Sequence, residues 1–136
     1  MKIVLHLGAH CTDEGKLAQT LARNRADFLA SRVSVPPPAN YRTLLREAIH
    51  ALDDGPPSEE ASDVLIDTIL EEDDADRVIL SNDNFFGVPH MSLGNGQFYP
   101  LAEQRLADMR QLFPDDAIEL FLAVRDPGTF IPAIHA

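Results

Sequence analysis

Three short stretches of the chain carry residue types that could do chemistry. The first, residues 6–16, reads "HLGAHCTDEGK": two histidines, one cysteine, one threonine, two carboxylates and a lysine around Gly8 and Gly15. The second is Asn82-Asp83-Asn84, and the third is Arg125-Asp126-Pro127. A glycine turn leading from a strand into a helix presents backbone N–H groups to an anion, and Lys16 would add a cation. Asp13 and Glu14 oppose that use. A carboxylate ~4 Å from a phosphate costs about 4 kcal/mol at an effective dielectric of 20, against the ~0.3–2 kcal/mol that a helix dipole supplies. The same acids have a plainer role in stabilising a helix start, with Thr12 or Asp13 as N-cap. Asn82, Asp83 and Asn84 follow an apolar strand at the expected ligand edge, where such short polar side chains can form a site or equally satisfy turn backbone groups.

His6, His10 and Cys11 also raise metal chemistry, since thiolate and imidazole both suit zinc. H-x3-H-C inside one turn is not a zinc spacing, and a single cysteine excludes a cysteine cluster and an intrachain disulfide. No metal is expected. The Walker spacing fails too: six residues separate Gly8 from Gly15-Lys16 rather than four, and Leu17 stands where a magnesium-binding Ser or Thr belongs.

The elements that must position these residues follow from periodicity. Residues 2–7 are nearly continuous apolar, as in a strand covered on both faces. A helix is expected over 14–30, with Leu17, Ala18, Leu21, Phe28 and Leu29 on one face. Residues 32–35 form a short strand that Pro36, Pro37 and Pro38 stop. Asn40 is placed to cap a second helix, in which Tyr41, Leu44, Leu45, Ala48, Ile49 and Leu52 recur at helical spacing and His50 flanks the apolar face. Ser58 is placed to cap a third, with Glu59 and Glu60 in its first turn. The acidic run 71–76 reads as a solvated turn, and "VILS", residues 78–81, as a second core strand. The long Gly-, Asn- and Pro-rich loop 82–100 has the length of a functional loop. A fourth helix over 101–113 and a third core strand over 118–124 complete the pattern. Alternating apolar strands and amphipathic helices predict a three-layer α/β domain with a short parallel sheet flanked by helices. Ligands of such sheets bind beyond the carboxyl ends of the strands, so all three chemistry-bearing stretches converge on one rim.

The length of 136 residues is that of one domain, and the composition, 45% apolar and 24% charged, is ordinary for a globular chain. The net charge of −11 makes nucleic acid and anionic membrane poor partners. There is no apolar run of membrane-spanning length and no secretory signal, so a cytoplasmic protein is expected. An uncovered sheet edge would let two copies pair.

The three stretches, in this order, resemble the sulfotransferase family of P-loop proteins. Bacterial members open with "HxGxHKTGTTxLQ", to which residues 6–18 correspond; their middle strand often reads "ILSSENF", here "ILSNDNF" at 79–85; their later strand often ends in "RDP", here Arg125-Asp126-Pro127. The resemblance covers most of the chain, and such families run well beyond this length, so the chain is expected to be a short relative or the N-terminal part of a longer one. It implies a P-loop-type fold and sulfonate transfer from 3′-phosphoadenosine 5′-phosphosulfate to an acceptor, with adenosine 3′,5′-bisphosphate as the other product. It also implies that Gly8, His10, Cys11, Thr12, Gly15 and Lys16 bind the phosphosulfate, Arg125 the 3′-phosphate, and Asp83 serves as general base. Gly8, His10 and Thr12 match the family pattern. The family's Lys falls on Cys11, its second Gly on Asp13, its two later Thr on Glu14 and Gly15, and its 3′-phosphate Ser on Ala133. These substitutions sustain a second expectation, a non-catalytic relative that binds a small molecule or a protein through the same rim or the 82–100 loop.

Overall fold

A computed structural model describes residues 1–136. In chain order the elements are β1 (Lys2–His6), α1 (Lys16–Arg23), α2 (Arg25–Ala30), β2 (Val33–Ser34), α3 (Arg42–Ala51) and α4 (Glu59–Leu70), followed by β3 (Arg77–Ser81), β4 (Leu93–Gly94), β5 (Gln97–Phe98), α5 (Ala102–Leu112), β6 (Ala117–Phe121) and α6 (Pro127–Ile134). The main sheet has the order β2-β3-β1-β6, and every pairing in it is parallel. The register sets Leu5 beside Leu80 and Leu120, and His6 beside Ser81 and Phe121, so the three long strands end level.

The chain crosses the sheet one way from β1 to β2, then back through β3 to β6. Right-handed crossovers therefore place α1 and α2 on one face and α3, α4 and α5 on the other. That second face holds the core: Ile3, Leu5, Val78 and Leu80 from the sheet cluster with Leu45, Ile49, Leu65, Ile69, Met109 and Phe113 from the helices. The first face is thinner. Neither α1 nor α2 contributes a fully buried side chain, and Leu17 is exposed.

Several local expectations are corrected. The helix expected over 14–30 is two helices, broken at Asn24, whose side-chain amide donates back to the Thr20 carbonyl and competes with the helical ladder. Asn40 does not cap α3; it lies in the 3-10 turn Pro38–Asn40, its Nδ2 buried without a partner, and Tyr41 takes the cap position. Ser58 does cap α4, accepting from the Ala61 amide at 3.1 Å. The acidic run is the solvated turn expected, and it also makes contacts: Asp74 and Asp76 clamp Arg32 at 3.0 and 2.7 Å, and Asp73 accepts from the Ser34 hydroxyl at 2.6 Å. This ties β2 to the segment leading into β3. The 82–100 loop contains a small hairpin, β4 paired antiparallel with β5. No helix is long and apolar enough to cross a membrane.

Candidate functional site

The rim forms where the parallel strands end. Beyond His6 the β1 loop stays zipped between its neighbours. The Asn82 amide donates to the His6 carbonyl at 3.0 Å, and the Ala123 amide donates to the Gly8 carbonyl at 2.7 Å. Gly8 has φ +102, and a Cβ there would lie 3.2 Å from the His10 amide nitrogen and 3.5 Å from Asp83 Cα and Cβ. Only glycine brings the loop this close to Asp83. Arg125 closes the third side: its Nη1 donates to the Cys11 carbonyl at 2.6 Å and its Nε to Thr129 Oγ1 at 3.1 Å. The sequence-predicted residues Gly8, His10, Cys11, Thr12, Asp83 and Arg125 therefore meet at one rim. Gly15 and Lys16 stand further out, exposed at the start of α1.

Their states differ from the simple anion cradle. Asp13 fills the helix N-terminus itself: its carboxylate accepts from the Leu17 amide at 2.9 Å and the Gly15 amide at 3.3 Å. Burial raises its pKa, but these amides and nearby His6 outweigh it and hold the carboxyl below its ordinary value. Thr12 turns its hydroxyl inward, donating to the Ala9 carbonyl at 2.7 Å.

His10 is a strut between the rim and the 82–100 loop. Only 2% of it is exposed. Tyr99 Oη lies 2.9 Å from its backbone nitrogen and 2.7 Å from Nδ1, while Nε2 lies 3.0 Å from Asn84 Oδ1. The amide N–H donates to Tyr99 Oη, so the single hydroxyl proton is free to go to Nδ1. The imidazole then carries its own proton on Nε2 and donates it to Asn84. Burial pushes the Tyr99 phenol above its ordinary pKa, which keeps that proton in place. His6 is also buried, with Nδ1 2.9 Å from Ser81 Oγ. His6 and His10 therefore point to separate partners, Cys11 packs against the core, and no group of three His, Cys, Asp or Glu side chains is arranged to hold a metal ion.

Sequence reasoning missed four participants. Tyr99 lay inside the loop judged functional by length, with nothing in its spacing to single it out. Thr129 brings a hydroxyl to Arg125 one helical turn before Ala133, which has none. Tyr41 and Arg42 seal the other side of the rim. Tyr41 Oη donates to the Ser81 carbonyl at 3.0 Å and accepts from its amide at 2.9 Å, and Arg42 donates to the same carbonyl through Nε and Nη2. Next to this seal, a cavity of about 380 Å³ opens where α3 faces the 82–91 part of the loop and Arg105 at the start of α5, with Asn82 and Asn84 in its lining.

Comparison with protein-family models, with curated proteins and with solved structures finds no match for this chain.

Proposed function

We propose that the chain is a sulfotransferase-like domain of P-loop type whose rim takes a 3′-phosphoadenosine nucleotide. The observation that carries this reading is Arg125, which reaches from beyond β6 to the β1 loop, 2.6 Å from the Cys11 carbonyl. Its guanidinium is a donor group for a terminal phosphate, steadied by the Thr129 hydroxyl, which accepts from Nε and itself donates to the Asp126 carbonyl at 3.0 Å. In the transfer, Asp83 takes the proton from an acceptor hydroxyl or amine as that atom attacks sulfur. The S–O bond to the nucleotide breaks, and adenosine 3′,5′-bisphosphate leaves with the electron pair. Asp83 suits the role by its exposure at the rim, beside Gly8.

A second reading rests on Asp13. Its carboxylate sits on the α1 amides that a phosphosulfate would use. A chain that keeps this contact would be a non-catalytic binding module built on the same scaffold.

Calorimetry with adenosine 3′,5′-bisphosphate separates the two. The nucleotide reading expects submillimolar binding, weakened about tenfold or more by Arg125→Ala, the loss of one charge-assisted contact. It also expects Asp13→Asn to tighten binding by removing a repelling charge. No heat at millimolar nucleotide, for either the native chain or Asp13→Asn, leaves the module.

A further inference from the structure

We infer that the cleft between α3 and α5 is a binding site for a small organic anion with an apolar body. Its volume of about 380 Å³ lies within the ~300–1,000 Å³ usual for ligand sites. Four side chains give it its character. Arg42, Arg46 and His50 follow one another at i, i+4 and i+8 along α3, and Arg105 faces them from α5.

The charge distribution sets the cleft apart. The chain has 22 Asp and Glu against 11 Lys and Arg, yet three of those basic residues line the cleft and no carboxylate does. Arg42 and Arg46 stand one helical turn apart, where like charges repel. Neither belongs to any of the five ion pairs in the molecule. Arg46 makes no hydrogen bond. Arg105 reaches Asp108 only at 3.6 Å, beyond good hydrogen-bond length. Two guanidinium groups are thus left without strong partners beside a third. Arg42 is held in place by its two bonds to the Ser81 carbonyl, at 3.0 and 2.8 Å, which leave its Nη1 uncommitted. Such forks match carboxylate, phosphate and sulfate oxygens.

The walls supply the rest of the specificity. Leu45, Phe85 and Met91 offer apolar surface beside the cationic stripe. A bare inorganic anion would leave them wet, and a neutral hydrocarbon would leave the guanidinium groups unpaired. The fitting ligand has one acidic head on an aromatic or branched aliphatic body. The cleft adjoins the rim through Asn84 but shares neither Arg125 nor the β1 loop, so the inference goes beyond the nucleotide reading and does not depend on it.

The test is an NMR titration of the full chain with 1-naphthoate, 1-naphthyl phosphate, neutral 1-naphthol and inorganic phosphate. At least one naphthyl anion is expected to saturate and to shift amides at 42–50 and 101–105, with naphthol and inorganic phosphate about tenfold weaker or worse. Arg46→Gln and Arg105→Gln should each weaken the anion about tenfold, the loss of one charge-assisted hydrogen bond, while Arg125→Ala leaves it unchanged. Arg46 is the cleaner variant because it has no protein partner to orphan, and circular dichroism verifies its fold. Naphthol binding as tightly as the anions, unchanged affinity in Arg46→Gln, or no saturation by about 10 mM, weaker than the millimolar level of marginal ligands, would each overturn the inference. Failure of adenosine 3′,5′-bisphosphate to bind bears only on the rim.

Discussion

At the scale of single residues, Asp13 decides more than any other side chain. Two residues before Gly15, the N-cap of α1, its carboxylate takes the Gly15 and Leu17 amides and is the reason they are not free. Asp13→Ala should cost about 0.5–2 kcal/mol, the usual loss when a side chain stops accepting from first-turn amides, read as a lower urea midpoint. Because its folded pKa lies below the ordinary 3.8, its contribution is fully present above that value and is lost as pH falls through the folded one. The native chain and the alanine variant should therefore converge in stability under acid, in urea titrations run from pH 7 downward. Tyr99 supplies a second prediction. Tyr99→Phe strands the His10 amide and Nδ1 in a site that is 2% exposed, and should cost about 1–3 kcal/mol. Equal midpoints for Tyr99→Phe and the native chain would show that the strut carries no load. The sequence puts Thr12 or Asp13 at the N-cap of α1; the structure puts Gly15 there, and Asp13 reaches the first-turn amides from two residues earlier. The Tyr99–His10 pair was not legible in the sequence, because 89 residues separate them and only the tertiary fold joins them.

At the scale of elements, the parallel strands were readable because each is a short, nearly unbroken apolar run ending at a polar turn. The break at Asn24 was not, since the apolar spacing runs through it and a side-chain bond to the Thr20 carbonyl decides the matter. The hairpin had a signal in Asn95-Gly96, both at positive φ as tight hairpin turns require. Strands of two residues each gave it no flanking pattern. Gly8 shows what the rim demands of its loop. Gly8→Ala would force a side chain into φ +102 against the His10 amide, at about 1–3 kcal/mol, measurable as a fall in Tm. β6 is the exposed element. It pairs only with β1, and Leu120, Phe121, Leu122 and Val124 in and beyond it are 46%, 53%, 45% and 74% exposed. Uncovered apolar edges invite pairing between chains. The apparent mass from light scattering should rise with protein concentration, and Val124→Lys should suppress the rise.

At the scale of the whole molecule, charge dominates. A net charge of −11 is set against only five ion pairs, three of them with both partners exposed, so self-repulsion outweighs pairwise attraction. Raising ionic strength from about 0.01 to 0.15 M shortens the Debye length from ~30 to ~8 Å. The expected result is a higher Tm; a lower one would mean that the Arg32 clamp and its like matter more than the overall field. The excess of acid also sharpens the contrast with the α3–α5 cleft, where three arginines and no carboxylate line the wall.

The Tyr41 hydroxyl grips both backbone groups of Ser81, and Arg42 grips the same carbonyl from the first turn of α3. The last residue of a central strand is thereby fastened to a helix that forms one wall of the cleft. Deuterium uptake at the Ser81 amide should therefore slow when an anion fills the cleft, making a strand terminus the reporter of occupancy across the fold.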